Sequence, residues 1–387
     1  VKLLVVSYKT AWPASSSPSG YATDGGFPFQ MKALSELFDA TTLLIPCDEQ
    51  ARQPGEGPLT GHNLSVVPLT PPAGKGAWRK IIFPFWLLRN SVTMLREILR
   101  ADAVHTPIPG DIGTIGMLLA FALRKPLFVR YCGNWMAQAT IAEYFWKRFM
   151  ETFAGGKIIC LATGQHPAPP SRNPALKWIF ATTMTEEELN HCATERDNNT
   201  RSSPRLVIAC RQEKEKGTDV VIGSLTLLQH ELPEIRLEVV GGGGALEAFR
   251  QTAAALSLNG QVTFHGQVAH DRVIELLRAA DLFCFPTTSS EGFPKAALEA
   301  MACGLPVVTT NVSALPELVK HGGGVLIDEV TPRAVADAVR VCWNDAGRYR
   351  SMSRQATLTA RKYSLEAWRD TIGALLRSAW GPLRSDA

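Results

Sequence analysis

Two glutamates, Glu291 and Glu299, stand eight positions apart in the run Pro286-Thr287-Thr288-Ser289-Ser290-Glu291-Gly292-Phe293-Pro294-Lys295-Ala296-Ala297-Leu298-Glu299-Ala300. A strand ending at Phe285 leads into this loop, and a helix opens near Lys295 and closes at Gly304. The first turn of a helix offers unpaired backbone N–H groups and the positive end of its dipole, an arrangement that suits a phosphate. Carboxylates accept hydrogen bonds and so suit hydroxyl groups rather than phosphates. A phosphate core flanked by hydroxyl-bearing groups would satisfy all three elements, and a nucleoside diphosphate sugar is such a ligand. Taken alone, the same residues also read as an ordinary strand-to-helix turn with two solvated glutamates. A second group of residues points the same way. The buried strand Leu206–Cys210 delivers Arg211 and, five residues on, Lys216. A planar guanidinium and a point-charge ammonium across a tight loop can clamp a diphosphate, while Lys214 and Glu215 between them read as a solvated charge run.

The segment Glu291-Gly292-Phe293-Pro294 through Glu299-Ala300-Met301-Ala302-Cys303-Gly304-Leu305-Pro306-Val307-Val308 resembles the E-x7-E signature of retaining, nucleotide-sugar-dependent glycosyltransferases of family 4, which have the GT-B fold. The resemblance implies that Glu291 holds hydroxyls of the donor sugar, that backbone amides from Gly292, Phe293, Pro294 and Lys295 hold sugar or phosphate, and that Glu299 holds the ribose. Arg211 and Lys216 lie in a stretch similar to the family's G-R-L-x-x-x-K-G, with Cys210 in the usual glycine's place, and inherit the diphosphate. Gly241, in a run of four glycines after a strand, and Gly266, in Phe264-His265-Gly266, fall where the family approaches the base. Gly26, in Asp24-Gly25-Gly26, matches a glycine beside the donor phosphate.

One departure stands out in the first half. Relatives carry a histidine before a glycine near the sugar's anomeric carbon, whereas Cys132 precedes Gly133 here. Either that contact is dispensed with here, or Arg130, Asn134 or His105, the last in Asp102-Ala103-Val104-His105, supplies it as an acceptor or sugar contact. There is no D-x-D, so no metal and no cofactor beyond the nucleotide-sugar co-substrate is expected. The diphosphate charge then falls to Arg211, Lys216 and the helix end.

These residues need a scaffold. Short β-rich runs alternate with helical patterns, which predicts parallel sheets covered by helices on both faces. The expected architecture is α/β, GT-B: two Rossmann-like parallel-sheet domains facing across a cleft. Residues 1–190 form the acceptor-side domain, with the helix 365–387 packing back on it as the resemblance implies; 191–204 form the linker, within the polar and apolar-poor stretch Thr182–Pro204, and 205–364 the donor-binding domain. At 387 residues the chain exceeds one ordinary core, and a net charge of +4 is too mild for a nucleic-acid binder. Eight cysteines without a CxxC pair read as buried thiols in a reducing compartment. No signal peptide or membrane span is apparent, so the expected location is cytoplasmic, at the inner face of the membrane. Lys75, Arg79, Lys80, Arg89, Arg96 and Arg100 oppose only Glu97 in an aromatic stretch, which suits either an anionic lipid surface near a lipid-linked acceptor or an ordinary packed helix with solvated cations. The expected activity is transfer of a sugar, with retention, from a nucleoside diphosphate sugar to an acceptor hydroxyl of a glycan, glycolipid or natural product. A nucleotide-sugar 2-epimerase and a non-catalytic nucleotide-sugar-binding protein of the same fold are the alternatives. Base, sugar, acceptor and oligomeric state are not legible.

Overall fold

Leu3 and Val5 of the first strand bury on one face of a sheet and Leu4 and Val6 on the other, so this sheet is covered on both sides, as a parallel sheet requires. The computed structural model describes residues 1–51, 57–74, 76–193, 202–290 and 292–385. The chain divides into two compact units. One comprises Val1–Gly164, Ala168–Thr183 and Leu365–Ala387; the other comprises Gln165–Pro167 and Met184–Ser364.

In the first unit the elements run β1 (Lys2–Val6), β2 (Trp12–Pro13), β3 (Tyr21–Thr23), α1 (Phe27–Ser35), β4 (Ala40–Pro46), β5 (Gly57–Pro58), β6 (Leu64–Leu69), α2 (Gly76–Arg100), β7 (Ala103–Ile108), α3 (Asp111–Ala122), β8 (Leu127–Tyr131), α4 (Ile141–Phe153), β9 (Ile158–Thr163) and β10 (Leu176–Ile179). The main sheet is parallel, in the order β10-β9-β8-β7-β1-β4-β6. Helices α2, α3 and α4 bury Met94, Ile98, Met117 and Phe149 against one face. Helix α1 covers the other with Met31 and Leu34.

The second unit runs α5 (Glu186–Cys192), β11 (Arg205–Ala209), α6 (Thr218–Leu228), β12 (Arg236–Val240), α7 (Leu246–Ala255), β13 (Val262–Gly266), α8 (His270–Ala279), β14 (Leu282–Phe285), α9 (Lys295–Ala302), β15 (Val307–Thr310), α10 (Leu315–Val319), β16 (Gly324–Ile327), α11 (Pro332–Trp343) and α12 (Ala346–Ala360). Its sheet is also parallel, ordered β13-β12-β11-β14-β15-β16. All its strands therefore end along one edge, where ligands of such sheets bind. Helix α13 (Leu365–Trp380) then returns to the first unit and buries Trp368, Ile372 and Leu376 in the cluster beside α1.

Three features are not expected from the sequence. The polar stretch Ser15–Ser19 is the tip of a hairpin, β2 to β3, closed by an Ala14 N–H to Gly20 carbonyl bond of 2.9 Å. Helix α5 forms where polar composition suggests a linker: Thr185 accepts from the Glu188 amide at 3.1 Å and Glu188 accepts from the Thr185 amide at 2.7 Å, a reciprocal cap. Residues 194–201 of that expected linker, and Lys75 of the basic stretch, lie outside the described residues. Helix α12 buries Tyr349, Ser353, Ala356, Thr359 and Ala360, a face too small and polar to show as an apolar stripe. Among the described residues, no helix is long and apolar enough to cross a membrane.

Trp368 ties the end of the chain to the first unit. It is fully buried, and the Arg130 guanidinium lies 5.1 Å from its ring centroid. Trp368→Ala is therefore expected to lower unfolding stability by about 3–5 kcal/mol, read from urea denaturation; an unchanged midpoint would show that α13 is not part of the core.

Candidate functional site

In the second unit, β11 and β14 are neighbours, with Leu206 opposite Leu282 and Val207 opposite Phe283. Their exit loops are joined. After β11 the chain makes one tight turn at Lys214–Lys216, and Gly217, at φ +76°, ends that turn and opens α6. A Cβ on Gly217 would lie 2.5 Å from the Pro286 carbonyl oxygen, so only glycine lets the two loops pass. The Thr288 amide donates to the Glu215 carbonyl at 2.8 Å, and the Thr287 hydroxyl donates to the same carbonyl at 3.0 Å. Lys216, only 6% exposed, donates from Nζ to Ser289 Oγ at 2.7 Å. Arg211 is exposed, and its guanidinium has no hydrogen bond or ion pair among the described residues. The structure thus holds one cation in place and leaves the other reaching into solvent from the same loop.

Gln212, between them, is a residue that sequence reasoning missed. Fully buried, it donates from Nε2 to the carbonyls of Cys210 (3.1 Å) and Val240 (2.9 Å) and accepts from the Thr218 hydroxyl at 2.7 Å. It pins the ends of β11 and β12 to the start of α6. The glycine run after β12 folds against this loop. A Cβ on Gly241 would meet the Cys210 carbonyl oxygen at 1.9 Å, and one on Gly243 would meet that of Gln212 at 2.4 Å. The space where a Gly241 side chain would stand is taken by the protein's own backbone, so only glycine fits there. Gly266, whose carbonyl accepts from the Gly241 amide at 2.8 Å, has φ +66° and open space for 4 Å around the point where a Cβ would stand. His265 pairs with Glu238 at 2.7 Å.

Glu291 lies outside the described residues. Beyond it, Gly292 is half-buried, Pro294 is buried and Lys295 is exposed. Phe293 is 6% exposed and packs on Tyr363 at 5.4 Å between ring centroids, so its side chain serves packing and leaves only the backbone for a ligand. No side chain caps the start of α9; the Lys295 amide donates to the Phe293 carbonyl at 3.0 Å, which leaves the Ala296 and Ala297 amides as the donors without a partner among the described residues. Glu299 has its side chain 14% exposed, and its Oε1 lies 3.4 Å from His270 Nε2. Burial, with a smaller push from Glu188, raises its carboxyl above the usual range, while His270 and Lys295 oppose the rise. Arg211, Lys216, Ser289, Gly266 and the start of α9 thus follow parallel neighbouring strands along one sheet edge, with Glu299 one turn inside α9.

In the first unit the candidate residues lie on β7 and β8, just after β8, and just before α1. His105 on β7 is fully buried, stacks on Phe128 at 4.2 Å and donates from Nδ1 to the Phe128 carbonyl at 2.9 Å. Arg130 is 4% exposed and donates to Gln30 Oε1 at 2.8 Å, and Gln30 in turn donates to the Thr182 carbonyl at 3.1 Å. Both side chains are buried, and His105 Nε2 and Arg130 Nε find no hydrogen-bond partner among the described residues. A Cβ on Gly133 would press on the Tyr131 ring at 3.0 Å, and Asn134 Oδ1 accepts from the amides of Met136 and Ala137 at 3.0 and 3.3 Å. Gly26 caps α1 without a side-chain hydrogen bond, next to Asp24, which pairs with Lys9. Cys132 is exposed. Among the described residues, no group of three or more His, Cys, Asp or Glu side chains is placed to hold a metal ion.

Residues 194–359 match the family model for glycosyl transferases group 1. A D-inositol 3-phosphate glycosyltransferase of Rhodococcus jostii is 34% identical over 171 residues, 42% of this chain and 37% of the relative. A GDP-mannose-dependent alpha-(1-6)-phosphatidylinositol monomannoside mannosyltransferase of Mycobacterium tuberculosis is 32% identical over 181 residues, 45% and 46% of the two chains. The matches thus span less than half the length of these curated relatives. Anabaena HepE, solved in complex with UDP, superposes with a TM-score of 0.72 at 18% identity, covering 98% of this chain and 100% of that one. A glycosyltransferase from Rickettsia africae gives 0.69 at 14% identity, covering 98% of each. With its two parallel-sheet units, the chain has the GT-B fold.

Gly266→Ala should cost about 1–2 kcal/mol for its positive φ alone, and Gly217→Ala about 3 kcal/mol or more because a carbonyl also blocks it; equal losses in denaturant unfolding would contradict the loop contact. Burial, helped by Arg130, holds the His105 imidazole down at about 3 against an ordinary 6.5. Its neutral form is the folded one, so the stability it contributes is present above about pH 6.5 and is lost as the pH falls toward 3, at about 1.4 kcal/mol per unit. His105→Asn should flatten that slope in pH-dependent urea unfolding, and an unaltered slope would place the acid sensitivity elsewhere.

Proposed function

We propose that the protein is a retaining glycosyltransferase that moves a sugar from a nucleoside diphosphate sugar to an acceptor hydroxyl, with the donor held by the second unit and no metal required. The observation that carries this reading is the joined pair of loops after β11 and β14. It lies within the segment that matches group 1 glycosyl transferases and joins the loop that carries Arg211 and Lys216 to the loop that leads into α9, whose start no side chain caps. In this reading Arg211 closes on the diphosphate and Lys216 adds a fixed positive charge, and the two stabilise the departing nucleotide electrostatically. Glu291 orients the sugar and Glu299 the ribose. The raised carboxyl of Glu299 fits a side chain that trades its weak contact with His270 for ligand hydroxyls. Retention places the acceptor on the donor's leaving-group face, so a departing phosphate oxygen can take the acceptor proton without a side-chain base.

The acceptor is proposed as a hydroxyl of a glycan, glycolipid or natural product. Curated relatives named for D-inositol 3-phosphate and for a phosphatidylinositol monomannoside support a polyol or sugar hydroxyl.

The test follows nucleotide release from UDP-, GDP- and ADP-sugars with and without candidate acceptors, and reads the product's anomeric configuration by NMR. Turnover that survives EDTA and retains configuration is expected. Arg211→Ala, at an exposed side chain, should lower kcat/KM about a hundredfold or more with the fold kept. An epimerised donor, or tight donor binding without turnover, would overturn the reading in favour of another activity on the same fold.

A further inference from the structure

Helix α2 buries one face and leaves a second apolar face in solvent. Trp86, Met94 and Ile98 pack into the core, yet Ile81, Phe85, Leu88, Val92, Leu95 and Leu99 are 42–74% exposed. Their spacing of alternating fours and threes keeps them on one stripe, and at about 100° per residue they fall within an arc of about 80°. Arg96, Arg89 and Arg100, all exposed, fall in the next 60° or so on one margin of that stripe. The sole acidic residue of α2, Glu97, lies on the far side of the helix and accepts from Arg96 at 2.9 Å and Arg100 at 3.4 Å. Exposed pairs of this kind neutralise little. On the same side of the sheet, α4 exposes Ile141 (90%) and Tyr144 (61%).

Two occupants would cover such a stripe: a second copy of the helix, or a lipid surface. Pairing two α2 helices through this seam would set the arginine margin against either another arginine margin or the opposite margin, which holds Pro84 and Ser91 and no acid. A layer of anionic headgroups complements the same pattern, with the arginines at phosphate level and the stripe among the upper acyl carbons. From this charge complementarity we infer that α2 is an interfacial helix that seats the first unit on an anionic bilayer. The inference rests on α2 alone and does not depend on the donor chemistry.

The experiment is sedimentation of the full chain with vesicles of phosphatidylcholine alone and of equal parts phosphatidylcholine and phosphatidylglycerol, without donor or acceptor. Binding to the anionic vesicles, weakened by salt, is expected. Converting Arg89, Arg96 and Arg100 to Gln should lower the partition coefficient about a hundredfold, and Phe85→Ser with Leu88→Ser about tenfold or more. These side chains are exposed, so circular dichroism should be unchanged in both variants. Absence of binding to either vesicle, or binding indifferent to both sets of substitutions, would overturn the inference. So would a lipid-free dimer that dissociates in the Phe85→Ser, Leu88→Ser variant, because the occupant would then be a second copy.

Discussion

The candidate site exists because Gly217 can approach the Pro286 carbonyl so closely. Two neighbouring parallel strands always end side by side, but their exit loops normally diverge into separate helices. Here a residue without a side chain, in a left-handed conformation, lets one loop cross against the other. Hydrogen bonds then fasten them, three to the Glu215 carbonyl from Thr287 and Thr288 and one from Lys216 to Ser289. Thr287, Thr288 and Ser289, in the loop that leads to α9, are thereby set against the turn that carries Lys216.

That arrangement divides the electrostatic work. Lys216 has given up most of its solvent, and its bond to Ser289 helps to hold its charge in place. Arg211 keeps its hydration and its freedom. A preorganised charge stabilises a developing anion without reorganisation, whereas a mobile fork adds geometric selection for a planar or tetrahedral oxyanion. Gln212 makes the division possible. Its amide satisfies two strand-end carbonyls and a hydroxyl, and the backbone that separates the two cations cannot slip.

The sheets and their helices were legible because apolar periodicity is strong wherever a parallel sheet is covered on both faces, whereas the return of α13 was expected from the resemblance to relatives alone. Helix α12 was not legible, since Ser353, Ala356 and Thr359 build its buried face without large apolar residues. Helix α5 carried a readable signal, Thr185 three residues before Glu188, within a stretch whose polarity suggested a linker. In the site, the cations could be found from type and spacing. Gln212 could not, because a glutamine inside Arg211-Gln212-Glu213-Lys214 looks like its solvated neighbours until the strand ends are seen to need a donor. His105 and Arg130 were hard to read for the opposite reason. Polar side chains at strand ends suggest ligands, and only the Phe128 carbonyl, Gln30 and Trp368 reveal them as core partners.

Whether one joined pair of loops grips a diphosphate is decided by a crystal structure of the protein soaked with UDP or GDP. Phosphate oxygens are expected within hydrogen-bond distance of the Arg211 Nη atoms and Lys216 Nζ, and facing the first amides of α9. Phosphates bound away from both cations, with Arg211 still turned to solvent, would contradict that grip.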